Sequence, residues 1–115
     1  MKIAFLAALV AALAVPAASA SVSAETLKGT VGPGFTIKLS YEGKTAKKLK
    51  AGTYKVVISD KGTIHNFHLT GPGVNKKTSV SGTGTTTWTL KLRKGTYKYV
   101  CDPHASSMKG SFTVT

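Results

Sequence analysis

The chain predicts an all-β fold, an eight-stranded Greek-key β-sandwich, from three observations. Short runs rich in Thr, Val, Ile, Tyr and Phe are punctuated by Gly, Pro, Asn and Asp along residues 26–114. Several of these runs alternate apolar and polar residues with a period of two, the signature of a strand with one buried face. No segment beyond the N-terminus carries helical periodicity of useful length. Eight short strands at this spacing argue for two sheets that bury their inner faces against each other.

The expected strands are 26–31, 34–41, 52–60, 63–70, 74–80, 85–93, 95–101 and 109–114. The first two are Thr-, Val- and Ile-bearing runs separated by Gly32-Pro33, and Phe35 in the second reads as core. In 52–60, Tyr54, Val56 and Ile58 share one face. In 63–70, His65, Phe67 and Leu69 share the apolar face, with Ile64, Asn66 and His68 on the other. Trp88, Leu90 and Leu92 form the inner face of 85–93, and Trp88 also reads as core. Tyr97, Tyr99 and Cys101 align in 95–101, as do Phe112 and Val114 in 109–114. The strands read as half-buried and antiparallel.

Residues 1–20 stand outside this pattern. Lys2 is a basic start, Ile3 to Val15 is an unbroken apolar run, and Ala18-Ser19-Ala20 fits a small-x-small cleavage site, so the segment reads as a secretory signal peptide. The run is too short to span a bilayer. Val22-Ser23-Ala24 offers a second cleavage site, so the mature chain begins at Ser21 or Glu25. The expected product is soluble and exported, periplasmic or extracellular, with one domain over residues 21–115.

A single cysteine in an exported chain cannot form an internal disulfide. Cys101 opens the run Cys101-Asp102-Pro103-His104-Ala105-Ser106-Ser107-Met108, which sets a thiol, an imidazole and a thioether within one loop. A second imidazole is available upstream in Ile64-His65-Asn66-Phe67-His68. Apart from Met1, Met108 is the only methionine, and His65, His68 and His104 are the only histidines, so all soft or borderline ligands fall in two short segments. One thiolate, two imidazoles and a weak thioether are the ligand set of a blue-copper centre. His65 is preferred to His68 because it shares the inward face. Asn66 reads as a tie between the two ligand segments or as a solvent-facing strand residue, and Asp102 reads as an exposed loop residue.

These motifs resemble the cupredoxins, small blue-copper proteins that include plastocyanin, amicyanin, pseudoazurin and azurin. The resemblance rests on His65-Asn66 after Thr63-Ile64, and on Tyr97-Lys98-Tyr99-Val100-Cys101-Asp102-Pro103-His104 leading to Met108. It implies one type 1 copper ion held by His65, Cys101 and His104 with Met108 axial, cycling between Cu(I) and Cu(II) and carrying single electrons. The three residues between His104 and Met108 are one fewer than in plastocyanin-like proteins and one more than in amicyanin, which bears on the axial bond. Val100 stands where plastocyanin-like proteins carry a tyrosine electron port, so the exposed edge of His104 is the expected exit.

The formal net charge is +12 at pH 7, of which Lys2 in the leader carries one unit. Lys38, Lys44, Lys47, Lys48 and Lys50 form one concentration, and Lys91, Arg93, Lys94 and Lys98 another. Such a field steers association with anionic surfaces. The expected partner is an acidic redox protein such as a cytochrome, oxidase or reductase, with an anionic membrane or wall as a further surface. Nucleic acid is not expected, because basic and aromatic residues do not interleave on one face. A monomer that is not an enzyme is expected: Cys101 and His104 could imitate a nucleophile and base, but nothing completes such a site. Copper storage, delivery or tolerance with the same ligands is the alternative to electron carriage.

Overall fold

The structure, a computed structural model, describes residues 24–115. The expected signal peptide over 1–20 and the cleavage site after Ala20 lie outside the described residues. Among the described residues no helix is long and apolar enough to cross a membrane.

Ten strands form two five-stranded sheets. They are β1 (Glu25–Val31), β2 (Ile37–Tyr41), β3 (Lys44–Thr45), β4 (Lys48–Leu49), β5 (Gly52–Asp60), β6 (His68–Gly71), β7 (Val74–Lys77), β8 (Gly84–Leu92), β9 (Gly95–Val100) and β10 (Lys109–Val114). One sheet runs β3-β2-β1-β5-β8 and the other β4-β10-β9-β6-β7. The count exceeds the expected eight because 42–51 contributes two two-residue edge strands. These are too short to carry an alternation signal, and pairing with neighbours defines them: Lys44 with Tyr41, and Leu49 with Val114.

The expected inner faces are buried. Tyr54, Val56 and Ile58 of β5 meet Leu27, Val31 and Leu39 from the same sheet and Leu69, Tyr97, Phe112 and Val114 from the other. Fully burying such side chains contributes roughly 1.5–3 kcal/mol each. Between Leu27 and Val31, Gly29 takes the inward position because a Cβ there would press on Ile58 and Phe67. The Tyr97 hydroxyl accepts from the Arg93 N–H at 3.0 Å and lies 2.8 Å from the Arg93 carbonyl, which braces the turn between β8 and β9.

Pairing is antiparallel except for β1 with β5 and β4 with β10, which run parallel. A parallel pair needs a crossover rather than a hairpin, and the chain from β2 through β4 supplies it for β1 and β5. The register then sorts the loops into two ends. Val31 pairs with Asp60, Asp60 with Gly84, and Val100 with both His68 and Lys109, so the loops beside these residues share one end. Glu25 pairs with Tyr54, Gly52 with Leu92 and Gly95 with Val114 at the opposite end.

Besides the strand count and the two parallel pairs, three further expectations change. Residues 63–67 form a loop, and only His68–Gly71 pairs as a strand. The backbone there is bonded to Thr78 instead: the Phe67 N–H donates to Thr78 Oγ1 at 2.9 Å and the Thr78 N–H to the Phe67 carbonyl at 3.0 Å. Phe35 is not core but 64% exposed. The Gly32 N–H donates to the Thr36 carbonyl at 2.9 Å, which closes a turn that carries Phe35 beyond the end of the sheets. Trp88 is half-buried, packed against the core with its ring 6.4 Å from Phe67.

Candidate metal centre

Cys101 follows directly on β9, on the inner side that Tyr97 and Tyr99 define, and it is fully buried. A single 3-10 turn, Asp102–His104, follows. Pro103 favours that turn, since its fixed φ suits the first helical positions. The His104 N–H donates to the Cys101 carbonyl at 3.0 Å, the Met108 N–H to the His104 carbonyl at 2.8 Å, and the Cys101 N–H to the Met108 carbonyl at 3.0 Å. These backbone bonds close 101–108 into a compact loop, with Met108 buried and His104 half-buried.

His65 enters from the loop before β6 and is fully buried. Its Nδ1 lies 3.2 Å from Nδ1 of His104 and 3.6 Å from Sγ of Cys101, and the third side of this triangle, Sγ to Nδ1 of His104, is 3.5 Å. A point equidistant from the three atoms lies about 2.0 Å from each, against ~2.0–2.3 Å for nitrogen and sulfur ligands to a first-row metal. The donors therefore fit a metal ion without rearrangement. Both Nδ1 atoms face inward, and Nε2 of His65 is buried without a hydrogen-bond partner among the described residues.

The surroundings keep the donors in place. Gly32 and Gly62 pack against the His65 ring, and a Cβ on either would come within 3.0 or 3.1 Å of Cδ2. Gly32 also has φ of +71°, a conformation that L side chains rarely adopt. On the solvent side Phe35 stands edge-on to both imidazoles, 5.4 Å from His65 and 5.0 Å from His104 between ring centroids. Asp60 at the end of β5 is buried, and its Oδ1 accepts from the Gly62 N–H at 3.1 Å. Burial raises its carboxyl above the ordinary range, with the Gly62 bond and His65 opposing.

A second network joins the two ligand loops. Asn66 is 2% exposed, so of its two readings the buried tie is the one observed. Its Oδ1 accepts from the Asp102 N–H at 2.8 Å and its Nδ2 donates to Asp102 Oδ2 at 2.7 Å. Asp102 is exposed as expected, yet its Oδ1 also accepts from His68 Nδ1 at 2.9 Å. His68 Nε2 lies 2.7 Å from Asn75 Oδ1. Both ring nitrogens of His68 are thus engaged away from the donor triangle, and His65 is the histidine that joins it. Partial burial disfavours the charged form of His68, but the bonds to Asp102 and Asn75 outweigh it and raise its pKa. Burial acts in the same way on Asp102, where Asn66 and His68 prevail and hold the carboxyl below its ordinary value.

Of the predicted site residues, His65, Cys101 and His104 are brought together by their donor atoms, and Met108 is buried at the end of the same loop. Phe35, Asp60 and Thr78 were not read as site residues from the sequence. The Pro33-Gly34 turn signal before Phe35 argues against a core strand and could have exposed that error. Nothing in the sequence marks Asp60 or Thr78.

Two imidazoles, a cysteine sulfur and a buried methionine in a two-sheet sandwich define a cupredoxin, a blue-copper protein whose cofactor is a type 1 copper ion. A model of copper binding proteins of the plastocyanin/azurin family matches residues 20–115, and the chain belongs to that family. Among solved structures it is similar to reduced rusticyanin, with 25% identity over 78% of each chain and a TM-score of 0.59. Rusticyanin from Thiobacillus ferrooxidans matches with 26% identity over 78% of this chain and 76% of that one, at a TM-score of 0.54. No curated protein sequence matches the chain.

Proposed function

We propose that this is an exported one-electron carrier of one domain over residues 21–115, in which His65, Cys101, His104 and Met108 would hold copper. The observation that carries this reading is the donor triangle of 3.2–3.6 Å, already closed to the size of a metal site. When bound, copper supplies the Cu(I)/Cu(II) couple. Cys101 would offer its sulfur from a buried position, and the two imidazoles would suit both oxidation states. The closed 101–108 loop and the Asn66 bonds hold the donors still, so a change of charge requires little movement of the protein. A frame of this kind supports rapid electron exchange better than storage, which needs donors that open to release the ion.

His104 is the exit for electrons, being half-buried where His65 and Cys101 are fully enclosed. Phe35, Ile64 and Val80 are the exposed large apolar residues among those described, and the loops that carry them all lie at this end. A redox partner would dock here through apolar contact, with its acidic groups facing Lys61 and Lys109. Export through the leader places the carrier in the periplasm or outside the cell.

The test is to load the protein with Cu(II) and record its visible spectrum. An intense blue or green band, lost in Cys101→Ser and in His65→Gly but retained in His68→Gly, is the expected result. A colourless natural protein, or a band that survives Cys101→Ser, overturns the ligand assignment. Fast self-exchange supports the carrier, whereas slow exchange with ready transfer of copper to a chelator supports a store.

A further inference from the structure

The charge of the molecule is not spread evenly over its two ends. Lys44, Lys47, Lys48 and Lys50, on and beside the edge strands β3 and β4, are all exposed, as are Arg93 and Lys94 in the turn between β8 and β9. Strand register brings these two segments to the end opposite the metal centre. Lys44 sits beside Tyr41, which pairs with Leu27 early in β1; Leu49 pairs with Val114, which also pairs with Gly95 just after Lys94. Glu25 and Glu42 share this end, and the Tyr41 hydroxyl donates to Glu25 at 3.0 Å. Six cations therefore face two anions there, whereas the metal end presents Lys61, Lys77 and Lys109 with the paired carboxylate of Asp102 and the buried Asp60.

We propose that this basic end is a docking surface for anionic lipid headgroups, and that it holds the protein on a membrane with the metal end directed away. Two observations favour lipid over a protein partner. No large apolar side chain is exposed at this end among the described residues, so the aromatic or aliphatic anchor of a specific protein interface is lacking. The cations lie on short edge strands and a turn, arranged for long-range attraction to a charged plane. Attraction to anionic lipid is worth roughly fivefold per lysine or arginine near the surface, and it weakens as the screening length falls from about 10 Å at 0.1 M salt. The apolar patch around His104 stays free for a redox partner, so anchoring and electron exchange use different ends.

The experiment is sedimentation of the copper-loaded exported protein with vesicles of phosphatidylglycerol and phosphatidylcholine, read as protein bound rather than as colour. The natural protein should bind the mixed vesicles at low salt, ignore pure phosphatidylcholine and be released by 0.5 M salt. The variant K44Q/K47Q/K48Q/K50Q should lose on the order of 100- to 1,000-fold in affinity. The variant K28Q/K38Q/K55Q/K98Q removes the same charge from the outer faces of the sheets and should lose far less. Equal losses in the two variants would show that net charge alone governs binding and would overturn the proposal. So would failure of the natural protein to bind anionic vesicles. If the first variant fails to fold, as its copper spectrum would show, R93Q/K94Q provides the same test, with an expected loss of roughly 25-fold. Failure of the copper reading would appear in the spectrum and leave the sedimentation result standing.

Discussion

Asn66→Ala removes the side chain that ties the His65 loop to the Cys101 loop. Two short bonds are lost, one to the Asp102 carboxylate at 2.7 Å and one from the Asp102 N–H at 2.8 Å. A bond to a charged group contributes ~1.5–3 kcal/mol and a neutral one ~0.5–1.5 kcal/mol. The Asp102 side chain is 42% exposed, so water replaces part of what is lost. A net destabilisation of about 2–3 kcal/mol follows, which for a domain of this size lowers Tm by roughly 10–20 °C. Thermal melts of the copper-free protein, followed by circular dichroism at pH 7, measure it without contribution from the metal. Asn66→Asp separates the bonds from the loss of volume, since it keeps the shape and still accepts from the Asp102 N–H. It sets two carboxylates side by side, so it should be at least as unstable at pH 7 and recover partly on acidification. A change of less than about 0.5 kcal/mol in Asn66→Ala, or an Asn66→Asp melt that does not respond to pH, would refute the reasoning.

The ion pair of His68 and Asp102 confines its contribution to a pH window. The folded pKa of His68 is raised above the ordinary 6.5, so the stability it lends is complete below that value and is lost as pH rises through the folded pKa. The folded pKa of Asp102 is depressed below 3.8, so its share is present above that value and is lost as pH falls through the folded pKa. Natural protein and His68→Gln should therefore differ most between about pH 4 and 6.5, by at most about 1 kcal/mol for so exposed a pair, and converge by pH 9; a difference that grows with alkalinity would contradict the assignment. Phe35→Ala should leave the fold within about 1 kcal/mol, because the ring is 64% exposed. It also uncovers the edges of both imidazoles, so stopped-flow transfer of copper to a chelator should quicken several-fold, and a change of less than twofold would show that the ring is no shield.

Much of this protein is legible without coordinates, and the reason lies in chemistry and periodicity. Alternation at Tyr54, Val56 and Ile58, at Tyr97, Tyr99 and Cys101, and at Phe112 and Val114 identified inner faces because the strand period is a property of the backbone. The donors were legible because a thiol, a thioether and imidazoles are scarce in this chain and crowd into two segments. Tertiary structure decided what depends on contacts distant in sequence. Residues 63–67 read as strand by alternation, yet bonds from Thr78 and Asp102 hold them as a loop, a competition that no local pattern records. His65 and His68 are alike in type and three residues apart, and only their surroundings distinguish them: one faces Cys101 and His104, the other Asp102 and Asn75. Phe35 looked like core because a phenylalanine is apolar, whereas the turn from Gly32 to Thr36 carries it over the edge of the imidazoles. The lysines were countable from the start, but strand register alone collects six cations at the end opposite the metal, because pairing sets which loops become neighbours.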